Sequence, residues 1–143
     1  MSKQKSNQQS DGKALVLTKL PRPHSLPCTS TRIQTGCGHI YVTVSFLDKM
    51  PFEVFATLGK AGGCASCQIE AITRGISTGL RYRIPLSEYV RQLQGIQCPS
   101  QAFNESERVS SCADAISKVL SKYVPKEGGD VEQKTTVNPT PGT

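Results

Sequence analysis

The spacing of apolar residues changes once in this chain, at a glycine-rich turn, and that change limits the folds open to it. Ahead of the turn, Ile40, Val42, Val44 and Phe46 alternate with Tyr41, Thr43 and Ser45. Phe52, Val54, Ala56 and Leu58 alternate in the same way with Glu53, Phe55 and Thr57. Period two predicts strands with one apolar face. Beyond Gly59-Lys60-Ala61-Gly62-Gly63, the residues Ala65, Ile69, Ile72, Ile76 and Leu80 recur at spacings of four, three, four and four, the stripe of an amphipathic helix. A second stripe, Ala71, Gly75 and Gly79, carries no bulk and predicts close approach of another backbone. Interior glycines cost about 1 kcal/mol each relative to alanine, so packing or function must offset them.

The remaining segments fit around that switch. Arg32-Ile33-Gln34-Thr35 reads as a short strand and Gly36-Cys37-Gly38 as a tight turn, while Asp48 and Pro51 suit a second turn, which completes a three-stranded meander. Lys19 to Cys28 holds three prolines and is expected to lie extended over the core, with His24 in a surface loop. After the long helix, Pro85 opens a shorter one striped by Leu86, Val90 and Leu93 and closed by Gly95. Gln97 to Val109 reads as a loop. Ser111 and Asp114 form a capping box with Asp in place of Glu, ahead of a last helix through Cys112, Ile116, Val119, Leu120 and Tyr123. Strands first and helices after predict an α+β fold, a three-stranded antiparallel meander covered by one long and two shorter helices.

A chain of 143 residues accommodates one domain. Residues 1–20 read as a disordered basic tail, 21–123 as the folded core and 124–143 as a second disordered tail, because the ends cannot bury enough apolar surface to offset their ordering entropy. The start has no apolar h-region of a secretory signal and no stretch approaches a membrane span, so a cytoplasmic location without membrane contact is expected. Six cysteines there should be reduced. The net charge of +6 and pI of 9.1 permit weak, salt-sensitive association with nucleic acid or nucleotides. Specific nucleic-acid binding is disfavoured, since the aromatic residues are few and do not interleave with the basic ones. Homo-oligomerisation is left open.

Most of the cysteines sit at the edges of elements: Cys37 in a turn, Cys64 and Cys67 at a helix start, Cys98 past a helix end, Cys112 in a first helical turn. Thiolate ligands of a metal come from such places, although a single Cys-x-x-Cys leaves plain burial as an alternative. Cys64 and Cys67 also have a redox reading, because a helix N-terminus lowers a thiol's pKa. Lys60, Gly62 and Gly63 ahead of the helix suit an anion, yet the pattern is not a P-loop and an ordinary turn is the simpler reading. No acid pair or Ser/His/Asp set stands out, which leaves hydrolytic catalysis little support.

Gly36-Cys37-Gly38 with Ile40-Tyr41-Val42-Thr43-Val44, Pro51-Phe52-Glu53-Val54-Phe55, Gly59 to Cys64, the helix with Arg74 and Ser77, Leu93-Gln94-Gly95-Ile96 before Cys98, and Ser111 to Ile116 follow one another in a fixed order. In that order they resemble the TSCPD domain of vitamin-B12-dependent ribonucleotide reductases, which also occurs as small free-standing proteins in bacteria and phages. The resemblance covers about 21–123. The naming motif appears as Ser110-Ser111-Cys112-Ala113-Asp114, keeping the cap serine, the cysteine and the aspartate and losing the proline.

What the resemblance implies is a place in deoxyribonucleotide metabolism and DNA synthesis, as an accessory or regulatory module that docks on a ribonucleotide reductase or binds nucleotide. Independent catalysis is not expected: a reductase of that family needs a large barrel, and this chain alone should bind no cobalamin. Four cysteines fall within the shared motifs, so the resemblance also implies zinc held by Cys37, Cys64, Cys98 and Cys112. A thiol-redox protein using Cys64 and Cys67, and a zinc-stabilised interaction domain, are the alternatives.

Overall fold

The computed structural model describes residues 17–59, 63–105 and 107–126. Of the expected tails at 1–20 and 124–143, residues 1–16 and 127–143 lie outside these residues, as do Lys60, Ala61 and Gly62. Strands β1 (Cys28–Thr35), β2 (Gly38–Leu47) and β3 (Met50–Leu58) form an antiparallel sheet in the order β1-β2-β3. Helices α1 (Cys64–Arg81), α2 (Leu86–Leu93) and α3 (Cys112–Ser121) follow, with a hairpin of β4 (Ala102–Asn104) and β5 (Glu107–Val109) between α2 and α3. The α+β class read from the spacing is the one observed.

Alternation in β2 sends Ile40, Val42 and Val44 to one face, where all three are fully buried. Val54 of β3 joins them across the strand pair. Over this face lie Ile69, Ile76 and Leu80 of α1 and Ile116, Val119 and Leu120 of α3, in one continuous core. The sheet is thus covered mainly by α1 along β3 and by α3 across β1 and β2. Helix α2 packs on α3, where the Ser117 hydroxyl donates to the Val90 carbonyl at 3.2 Å.

Three local features depart from the sequence reading. Strand β1 begins at Cys28, not Arg32, because Cys28-Thr29-Ser30-Thr31 pairs with β2 throughout while offering no apolar alternation. The segment read as a loop contains the β4–β5 hairpin. The glycine stripe of α1 meets a side chain and not a backbone: a Cβ on Gly79 would sit 1.6 Å from the Tyr89 hydroxyl, whereas one on Gly75 would meet nothing within 4 Å, and Ala71 is exposed. Only Gly79 is therefore required by packing.

The proline-rich lead-in does lie along the sheet. Leu20 N–H donates to the Arg81 carbonyl at 2.9 Å, and Arg81 Nε returns a bond to the Leu20 carbonyl at 3.0 Å. Arg22 Nε donates to both carboxylate oxygens of Glu53 at 3.0 Å, which lets that acid be buried within β3. His24 stays exposed.

Helix α1 also closes the outer edge of β3. The Ser77 hydroxyl accepts from Val54 N–H at 2.9 Å and donates to the Val54 carbonyl at 2.9 Å. One side chain thereby satisfies both main-chain groups of a fully buried residue that β2 leaves unpaired. Ser77→Ala should cost about 2–6 kcal/mol, since it orphans two buried groups at about 1–3 kcal/mol each. Denaturant titration would read this as a lower midpoint at unchanged slope, and a midpoint equal to the parent's would refute the edge contact.

Candidate functional site

The end of the sheet where β1 turns into β2 gathers most of the cysteines. Thr35, fully buried, organises it. Its hydroxyl donates to the Gly38 carbonyl at 2.8 Å and accepts from Cys37 N–H at 3.2 Å, an arrangement typical of a short hydroxyl side chain ahead of a turn. The Cys112 thiol points at the same hydroxyl from α3 at 3.7 Å. Thr35 escaped the sequence reading, although its place just before Gly36-Cys37-Gly38 is the kind of position from which a hydroxyl caps a turn.

The loop after α2 brings the third thiol. Cys98 N–H donates to the Ser110 carbonyl at 3.0 Å, and its thiol donates to the Ser100 carbonyl at 3.0 Å. Ser100 presses on the β1–β2 turn so closely that a Cβ on Gly36 would fall 2.2 Å from its carbonyl oxygen. Burial pushes the Cys112 thiol up from its ordinary pKa, the Thr35 hydroxyl pulls the other way, and the neighbouring Cys37 and Cys98 push it up again. Cys112 of α3 is therefore a neighbour of both Cys37 and Cys98, which come from two other segments.

Cys64 lies at the same end by topology. Strand β3 finishes beside the start of β2, where Gly59 N–H donates to the His39 carbonyl at 2.8 Å, and α1 starts at Cys64 five residues later. Gly63 precedes it with a φ of 90°, and α1 has no side-chain N-cap bond. Cys67, one turn along, donates its thiol to the Cys64 carbonyl at 3.1 Å, and both thiols are exposed. Cys28 opens β1 opposite Ser45. It is separated from Thr35 by the whole eight-residue strand, roughly 23 Å at strand rise. Among the described residues no three His, Cys, Asp or Glu side chains already stand in a metal-ready arrangement. Of the anion-binding candidates only Gly63 is described.

Asp114 fixes the frame in which these thiols sit. It is 2% exposed; one carboxylate oxygen accepts from Gly95 N–H at 2.9 Å and the other from Ser110 N–H at 3.0 Å. The Ser111 hydroxyl accepts from Asp114 N–H at 3.0 Å, the N-cap half of the predicted capping box. The other half differs, because the aspartate reaches past Ser111 to Ser110 and across to the glycine that ends α2. Gly95 has a φ of 77°, the left-handed conformation that follows many helices. The motif Ser110 to Asp114 thus ties the end of α2 to the start of α3, with Cys98 and Cys112 on either side of the knot.

An apolar groove of about 880 Å³, lined by Leu20, Met50, Phe52, Ile84, Leu86 and Val124 among others, lies instead around the β2–β3 turn and contains none of the cysteines. No described helix is long and apolar enough to cross a membrane.

Comparison with known proteins agrees with the motif order. No curated protein and no solved structure matches the chain significantly. The family model of the TSCPD domain matches residues 13–124, spanning the sheet, all three helices and the cysteine-bearing end. The TSCPD domain is associated with vitamin-B12-dependent ribonucleotide reductases. With that match extending over most of its length, the chain belongs to the TSCPD domain family.

Proposed function

We propose that this chain is a free-standing accessory or regulatory module of ribonucleotide reduction, acting by docking on a reductase or binding nucleotide and not catalytic alone. The observation that carries this reading is the TSCPD family match over residues 13–124. Adding the purified chain to a purified vitamin-B12-dependent reductase should change its turnover or its response to nucleotides. The chain alone should give none above a protein-free control. A reductase that neither co-elutes with the chain nor changes in rate or nucleotide response would count against the proposal.

The gathering of thiols favours a structural role for zinc in the same module. Cys112 with its neighbours Cys37 and Cys98, and Cys64 at the same end by topology, would supply four thiolates, a donor set that suits this ion once the side chains turn toward one another. Zinc held there would join the β1–β2 turn to the starts of α1 and α3 and the loop after α2, and its binding energy would contribute to folding. Protein purified without added metal should carry about one zinc per chain, and a chelator should lower its melting temperature. Under one zinc per about five chains, with melting unaffected by chelator, would dismiss the site. The competing thiol-redox reading rests on the exposure of Cys64 and Cys67 in the first turn of α1. It requires a reversible Cys64–Cys67 disulfide with a measurable potential.

A further inference from the structure

Three aromatic rings stand exposed among the described residues, and the fold sets an arginine beside each. Tyr41 is 39%, Phe55 50% and Phe103 78% exposed. Arg32 of β1 is directly opposite Tyr41 of β2. Phe55 of β3 and Arg74 of α1 line one shallow groove. Phe103 of β4 is directly opposite Arg108 of β5. In the sequence these partners lie up to nineteen positions apart, so the basic and aromatic residues interleave only once the strands are in register.

Two of the rings share the outer face of the sheet. Ile40 and Val42 point into the core, so Tyr41 points out, and with it Arg32 and Thr57 in the same cross-strand row. The next row is Ser30, Thr43 and Phe55, where the Thr43 hydroxyl donates to that of Ser30 at 3.2 Å. Phe55 is the diagonal neighbour of Tyr41, a relation that sets residues about 7–8 Å apart. Hairpin β4–β5 adjoins the edge of β1, where the Asn104 side-chain amide donates to the Gln34 carbonyl at 3.4 Å.

We propose that this face and the adjoining hairpin form a docking surface for single-stranded nucleic acid. Unpaired bases stack on exposed aromatic rings, and an antiparallel sheet that presents such rings in adjacent rows can hold successive bases. Polar Ser30, Thr43 and Thr57 between the rings argue against an apolar protein partner. Charge complementarity argues for a polyanion. Arg32 forms no salt bridge with any described residue, and the exposed Arg74–Glu70 pair is weak enough to be exchanged for a phosphate contact. Duplex is excluded as the preferred ligand, because its bases offer no free faces. This inference goes beyond the role in ribonucleotide reduction and does not depend on it.

The test is fluorescence anisotropy of the full chain with a labelled oligothymidine of about 15 nucleotides, long enough for one site of this kind. Binding should be tighter than to a duplex of the same length and should weaken steeply with salt. Tyr41→Ala and Phe55→Ala, which keep the charge, should each weaken it about 5- to 150-fold, the usual effect of losing one stacked base. Arg32→Gln should weaken binding and flatten the salt dependence by about one phosphate contact. Circular dichroism would confirm that these exposed-site variants keep the fold. No binding by the parent at low salt, equal affinity for duplex, or full affinity in the folded Tyr41→Ala/Phe55→Ala double variant would each overturn the proposal. Displacement by a free mononucleotide at the same concentration as by the oligomer would overturn it too, pointing to a nucleotide site instead.

Discussion

Asp114→Ala should melt about 12–20 °C below the parent, because two charge-assisted hydrogen bonds to a buried carboxylate are together worth about 3–5 kcal/mol and each kcal/mol moves a domain of this size by about 4 °C. The loss has a direction as well as a size. Gly95 N–H and Ser110 N–H would both be left without their acceptor, so the end of α2 and the start of α3 should loosen first. Hydrogen exchange at these two amides should accelerate more than in the centre of β2. Asp114→Asn keeps the shape and one acceptor oxygen, and should recover about half of the loss. A melting temperature within a few degrees of the parent's for Asp114→Ala would mean that the knot between the helices is not formed.

Gly36→Ala is expected to separate the β1–β2 turn from the loop that carries Cys98. The new methyl would fall 2.2 Å from the Ser100 carbonyl oxygen and 2.3 Å from its carbon. These are main-chain atoms, which cannot swing aside as a side-chain tip can. Overpacking of this kind costs about 1–3 kcal/mol and can cost more where backbone must move, so a loss of about 3 kcal/mol is expected. The chemical readout is thiol accessibility. Cys98 and Cys112 should react several-fold faster with a thiol reagent in the variant, while exposed Cys67 should not change. Equal rates at all three cysteines would show that Ser100 does not rest on the turn.

What the sequence showed and what it hid follow from the range of the interactions. The faces of β2 and α1 were legible because Ile40, Val42 and Val44, and Ile69, Ile76 and Leu80, repeat at the period of their own element, and burial follows period. The first half of β1 was not, since its polar residues are held by pairing to β2 and carry no alternation of their own. Nor was the β4–β5 hairpin, whose three-residue strands are too short for any period to show. Burial of Glu53 depended on Arg22, thirty-one residues away. The same division runs through the cysteine-bearing end. Ser111 and Asp114 could be read as a local cap, whereas the reach of Asp114 to Gly95 and the meeting of Thr35 with Cys112 are tertiary. Tyr41 and Arg32 illustrate it once more, as nine positions apart in sequence and opposite each other in the sheet.

The Ser77 contact has a consequence for the company this protein keeps. A strand at the rim of a sheet usually offers its unused amides and carbonyls as a template on which a strand of another molecule can add. In β3 the central outward rung, that of Val54, is already taken by a helix of the same chain. A visiting strand would have to peel α1 away before it could pair there. Growth by strand addition is therefore blocked at β3, and a partner approaching this side of the molecule must recognise side chains on a face, not backbone along an edge.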